Sequence, residues 1–172
     1  MRRGHTIEEY LRKINYMRTI NLGIELSTDL IVGFPTETQD DFERTLEVVR
    51  RVRFAQVFPF KYSPRPKTRA QQMDDDVPRE VKEDRLARII ELQTRIQAED
   101  AAKYIGSEQE VLIDGAHPRK RGVMSGRTDG YRPVSIEDPE LEVGDVVSAQ
   151  ITTSGGHWLY GEVVESVLSL TP

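Results

Sequence analysis

Three groups of side chains in this sequence have types and spacings suited to chemistry. The first is Gly33-Phe34-Pro35 with Glu37, directly after the apolar run Leu30-Ile31-Val32. A glycine at the end of a buried strand lets a ligand approach the backbone, and an acidic residue early in the next helix meets its N-terminus. The second is Lys61-Tyr62-Ser63-Pro64-Arg65-Pro66, two cations and a tyrosine stiffened by prolines. Lys61 or Arg65 could there hold a carboxylate or a phosphate. The third is Arg119-Lys120-Arg121, followed by Met124-Ser125-Gly126-Arg127-Thr128. Small residues beside cations on a β-surface can admit a nucleic-acid backbone. Each group also fits a plainer reading: a strand-to-helix turn without ligand, a proline-stiffened surface loop, and a solvated basic turn.

Other chemistries are excluded by composition. The 172 residues contain no cysteine. That removes disulfides, thiolate-bound zinc, a cysteine nucleophile and a thiolate-bound iron–sulfur cluster. The histidines His5, His117 and His157 are too dispersed for a metal-binding spacing and read as surface or turn residues. Phosphate-loop, dinucleotide and nucleophile-elbow patterns are missing. Trp158 and Tyr160 alternate on one strand and read as core and surface partners rather than as a stacking platform. Apolar residues make up 37% and charged residues 31%, a soluble composition able to form a core. No apolar run approaches the roughly 18 residues of a membrane span, and no secretory leader is visible.

The elements that must position these groups change character near Gly106. Thr6 to Glu9 forms a capping box ahead of a helix face of Ile7, Tyr10, Leu11, Ile14 and Met17. A strand ending at Leu30–Val32 follows and reads as buried on both faces. Thr38 to Asp41 opens a second helix, with Phe42, Leu46 and Val49 on one side. Phe54–Tyr62 reads as a second buried strand, and 63–76 as a long loop. Arg79 to about Tyr104 is the longest helix, its buried side marked by Leu86, Ile89, Ile90, Gln93 and Ile96. This order is α/β with a parallel sheet, but two strands do not close such a domain, so residues 1–106 look like a slice of a larger barrel. Beyond Gly106, five short strands are expected: Gln109–Ile113, Gly122–Arg127, Arg132–Ile136, Val146–Ile151 and Trp158–Val164. They suggest a small β-barrel of the OB or SH3-like kind. Residues 107–172 carry 5 basic and 11 acidic residues, yet all five cations fall between Arg119 and Arg132. One concentrated basic face suits a local phosphate contact.

Taken in order, these segments resemble the C-terminal part of the radical S-adenosylmethionine methylthiotransferases, specifically their MiaB-like, tRNA-modifying branch. The match is carried by Met1-Arg2-Arg3-Gly4-His5-Thr6, by Thr28–Pro35 with Glu37-Thr38, by Phe60–Pro66, and by Val77–Lys82. Val111-Leu112-Ile113, Gly126-Arg127-Thr128 and Gly161-Glu162 resemble a TRAM domain. The resemblance implies a partial TIM-like radical-SAM barrel over 1–106 and an RNA-binding TRAM barrel over 107–172. It implies a cytoplasmic enzyme, without membrane attachment, that adds a methylthio group to carbon 2 of isopentenyl-adenosine beside the tRNA anticodon. Its cofactors would be S-adenosylmethionine and two 4Fe-4S clusters, one of which cleaves S-adenosylmethionine to a 5′-deoxyadenosyl radical. Gly33 and Phe34 would then lie near the adenosine of the cofactor, Lys61 and Arg65 near cofactor or substrate, and Lys120, Arg121 and Arg127 against tRNA phosphates. With no cysteine for the clusters, this chain is expected to be inactive alone and to need the N-terminal part of the same enzyme. Thr36 and Lys67 stand where the family usually or often has glycine. The alternatives are an RNA-binding module without catalysis, and a methylthiotransferase acting on another tRNA adenosine or on a protein.

Overall fold

The computed structural model describes residues 4–168, of which 165–168 are described by their backbone alone. Met1-Arg2-Arg3 of the expected family match therefore lies outside the described residues. The chain divides into two compact units between Ile96 and Gln97. The first has the order α1 (Ile7–Ile20), β1 (Ser27–Val32), α2 (Gln39–Val52), β2 (Gln56–Lys61) and α3 (Arg79–Ala102), and α3 continues into the second.

The expected capping box at Thr6 forms, and a second one is found at Thr38, where a helix start was expected. Thr6 Oγ1 accepts from the Glu9 N–H at 3.3 Å, and Glu9 Oε2 accepts from the Thr6 N–H at 2.9 Å. Thr38 and Asp41 repeat the exchange at the start of α2, at 3.1 Å in each direction. Each box satisfies backbone donors that a helix start otherwise leaves open. The core of this unit joins Ile14 of α1, Val32 of β1, Phe42, Leu46, Val49 and Val52 of α2, Val57 of β2, and Ile89, Leu92 and Ile96 of α3. Ile90 is not part of it. It is 48% exposed, because Ile89, Leu92, Gln93 and Ile96 already fill the inward stripe of α3.

β1 and β2 pair in parallel, in register from Ser27↔Gln56 to Val32↔Lys61. The expectation that both strands are buried on both faces is not met. Val32 and Val57 enter the core, whereas Phe58 and Phe60 are 48% and 53% exposed. The helices bury their apolar stripes against one face only, so the opposite face of this two-stranded sheet presents aromatic side chains outward. The expected loop after β2 contains a short 3₁₀ turn, Arg69–Gln72, capped by Thr68. Among the described residues, no helix is long and apolar enough to cross a membrane.

The second unit is a closed five-stranded barrel: β3 (Glu108–Ala116), β4 (Met124–Arg127), β5 (Pro133–Ile136), β6 (Val146–Gly155) and β7 (Trp158–Leu168). Its strand order is β3-β4-β5-β7-β6, closed by β6 against β3. All pairings are antiparallel except β5 with β7. This is the order of the OB-type Greek-key barrel, which removes free edges by closure. Val111, Ile113, Val134, Ile136, Val147, Ala149, Ile151 and Leu159 fill the interior, joined by Ala101 from the last turn of α3. The five expected strands are all present, each within a few residues of its expected bounds.

Candidate functional site

In the first unit, the carboxyl ends of β1 and β2 open onto a cavity of about 930 Å³. Ile31 and Phe60 are register partners on the open face of the sheet and form its floor. Phe34, Lys61, Tyr62 and Arg65 line it, so three of the four residues expected near a cofactor lie at one place. Phe34 meets Tyr62 edge to face at 5.2 Å, and the Tyr62 hydroxyl donates to the Ala70 carbonyl at 2.9 Å. That bond ties the 63–70 loop back to β2's end, and Ser63, Arg65, Thr68 and Ala70 of the loop line the cavity. Lys61 is tethered: its Nζ donates to Glu83 at 3.1 Å, and Glu83 also receives Arg79 at 2.9 Å. These contacts, Arg79 foremost and then Lys61, hold the Glu83 carboxyl below its ordinary value.

The fourth expected residue, Gly33, is buried and does not line this cavity. It adopts φ +68°, and a Cβ there would come within 2.3 Å of Lys82 Cγ. Lys82 is 6% exposed, its ammonium paired with Asp75 and 5.4 Å from the Tyr62 ring centroid. The glycine thus makes room for the stem of a buried lysine. Glu37, expected to meet a helix N-terminus, instead accepts the Gly33 N–H at 2.6 Å and Arg85 Nη1 at 2.6 Å. Arg85 donates as well to the Glu37 carbonyl at 3.1 Å and lies over the Phe42 ring. This near-buried pair fixes the β1–α2 turn to α3.

Thr36 and Lys67 have φ of +71° and +66°, in the left-handed region. That explains why glycine suits these positions, since a side chain there costs about 1–2 kcal/mol, most for a β-branched residue. The Thr36 N–H donates to Asp76 Oδ1 at 2.8 Å, which holds the conformation. Thr36→Gly is therefore expected to stabilise the unit by about 0.5–1 kcal/mol, the relief of strain outweighing the added unfolded-state entropy. Urea denaturation checks this, and a destabilised variant would contradict it.

On the barrel, Arg119, Lys120 and Arg121 are exposed on the turn between β3 and β4. His117 Nδ1 accepts the backbone N–H groups of Arg119 and Lys120, each at 3.1 Å, which shapes that turn. Lys120 Nζ lies 4.5 Å above the Tyr160 ring. Arg127 is half-buried, donates to Asp114 at 2.9 Å and stacks over Tyr131 at 4.7 Å. Burial raises the Asp114 carboxyl, but its bonds with Arg127 and Ser125 prevail and hold it below the ordinary value.

Three expectations are corrected here. Arg132 does not belong to the basic face: it is 8% exposed and covers the Tyr104 ring at 5.0 Å. Ser125 and Gly126 are buried, so their small size serves the barrel interior rather than the approach of a nucleic acid. Trp158 and Tyr160 also depart from expectation. The core residue between them is Leu159, at 0% exposure, and both aromatic rings face outward, partly exposed. Trp158 contacts the His117 ring at 4.5 Å. The sequence signal was the aromatic–Leu–aromatic alternation, which puts both rings on one side, and a side opposite leucine is the outside.

The closed strand order is that of the OB-type barrels, and this one has cations and aromatic rings on its outer surface. Residues 102–164 match the TRAM domain. Over 168 residues, the chain is 46% identical to the tRNA-2-methylthio-N(6)-dimethylallyladenosine synthase of Aquifex aeolicus, covering 97% of this chain and 37% of that protein. The synthases of Chlorobium phaeobacteroides and Finegoldia magna are 46% and 41% identical, over 38% and 36% of their lengths. The chain corresponds to the C-terminal part of these MiaB-type synthases, TRAM domain included, and spans a little over a third of their length.

Proposed function

We propose that this chain forms the tRNA-holding end of a radical S-adenosylmethionine tRNA methylthiotransferase acting in the cytoplasm on carbon 2 of isopentenyl-adenosine beside the anticodon. The observation that supports the reading is the run of cations from Arg119 to Arg127 in residues 107–172, whose other charged side chains, apart from the buried Arg132, are all acidic. Such a run holds a phosphate backbone locally and leaves the rest of the barrel repelled by it.

The donor set of the chain does not fit the iron–sulfur clusters, because it contains no cysteine to hold them. In a complete enzyme they would be held outside this chain. The cavity beside β1 and β2 does fit an adenosyl amino acid. Phe34 and Tyr62 offer aromatic surface to a purine, and Arg65 a cation to a carboxylate. S-adenosylmethionine held there would supply, on one-electron reduction from a cluster outside this chain, the radical that takes hydrogen from the adenosine carbon. Phe34, Tyr62 and Arg65 would bind and orient it.

The test is tRNA binding by the full chain as a function of salt. Replacing Arg121 or Lys120 by glutamine is expected to reduce the slope of log K against log salt by about one unit each. Arg127→Gln is expected to reduce it by less, because Asp114 already cancels part of that charge. Unchanged slopes in all three variants would refute the phosphate contacts. A module that binds RNA without catalysis would pass the same test. Methylthio transfer on addition of the cluster-bearing part of a relative separates the two readings.

A further inference from the structure

The barrel face contains more than cations. Trp158 and Tyr160 project from β7 on one side, with Leu159 on the other. The outer end of the Tyr160 ring lies beside Gly155, where an added Cβ would come within 3.2 Å of it. Lys120 covers Tyr160, and the His117 ring borders Trp158. His157 also lies beside Trp158, at 6.0 Å between ring centroids. Its imidazole gives up its proton more readily than usual, first through burial and then through the nearby Arg127 and Arg119. Cations and aromatic planes from three separate segments therefore share one surface.

A face that only gripped a duplex backbone would need the cations alone, since paired bases keep their faces inside the helix. Flat aromatic surface flanked by cations is what unpaired bases use for stacking. Extending the RNA-binding reading above, we propose that Trp158 and Tyr160 form a stacking platform for unpaired bases of single-stranded RNA, with Arg119 and Lys120 holding the adjoining phosphates. Stacking of this kind tolerates any base, so the platform selects strandedness rather than sequence.

Trp158 is the single tryptophan of the chain, so intrinsic fluorescence reports this surface alone. The experiment titrates the full chain with single-stranded oligoadenylate and with a blunt RNA duplex of equal phosphate number. Oligoadenylate is expected to quench Trp158, and the duplex to leave its emission nearly unchanged. Trp158→Ala is expected to weaken oligoadenylate binding about tenfold with an unaltered salt slope, and Trp158→Phe to retain most of the affinity. Tyr160→Leu serves as the second variant, and circular dichroism verifies the fold of each. Oligoadenylate binding that neither quenches Trp158 nor weakens in folded Trp158→Ala and Tyr160→Leu overturns the platform while leaving RNA binding standing. Absence of binding to either RNA overturns the RNA reading and the platform with it.

Discussion

Gly126→Ala is expected to lower the stability of the barrel by about 3 kcal/mol, a drop in melting temperature on the order of 10–20 °C. Gly126 sits in the middle of β4, paired with Ile113 of β3 and Val134 of β5. A Cβ there would meet Val111 Cγ1 at 2.5 Å and the Leu112 carbonyl oxygen at 2.6 Å. Val111 is fully buried, and the Leu112 oxygen is backbone, so neither can yield without moving β3. Close-packed interiors absorb such a methyl only by displacing strands. Gly115 of β3 provides the control: a Cβ there meets nothing within 4 Å, and Gly115→Ala is expected to change the melting temperature little. Thermal unfolding followed by circular dichroism measures both. Similar melting of the two variants would refute the packing account.

The second large effect concerns Glu37. Glu37→Ala is expected to cost about 3–5 kcal/mol, because it leaves the guanidinium of Arg85 buried without its counter-charge. The Arg85 and Glu37 side chains are only 5% and 11% exposed, so water cannot replace the lost carboxylate. The Gly33 N–H loses its acceptor at the same time. The double variant Glu37→Ala with Arg85→Met is expected to recover much of the loss, since an apolar pair pays no desolvation of charge. Urea denaturation of the two single variants and the double variant gives the coupling energy. A double variant as unstable as the sum of the singles would show that the pair does not act as a unit.

Local rules account for what the sequence revealed. Thr6 with Glu9 and Thr38 with Asp41 are short-range motifs whose partners lie three residues apart, so their outcome depends little on the rest of the chain. The barrel strands were legible because alternation and glycine turns recur at short intervals. The cavity site was legible in part, since Phe34, Lys61 and Arg65 all lie at or just beyond the carboxyl end of a strand. Three-dimensional neighbours were not legible. Nothing in the 119–132 run marks Arg132 as the cation that is buried, because Tyr104 lies far away in sequence. Gly126 and Gly33 read as ligand-facing glycines, whereas Val111 and Lys82, distant in sequence, explain their size. Burial of β1 and β2 on both faces followed from their apolar composition, but composition does not say how many faces find a neighbour.

The single parallel pairing of the barrel, β5 with β7, bears on how this unit is made. β7 lies between β5 and β6, so before it is in place β5 has only β4 beside it and β6 only β3. During synthesis the earlier strands must therefore wait, partly exposed, until β7 has left the ribosome. Loop closure over such separations slows folding, and open strand edges invite association meanwhile. The interval before β7 pairs is thus when this unit is most exposed to association.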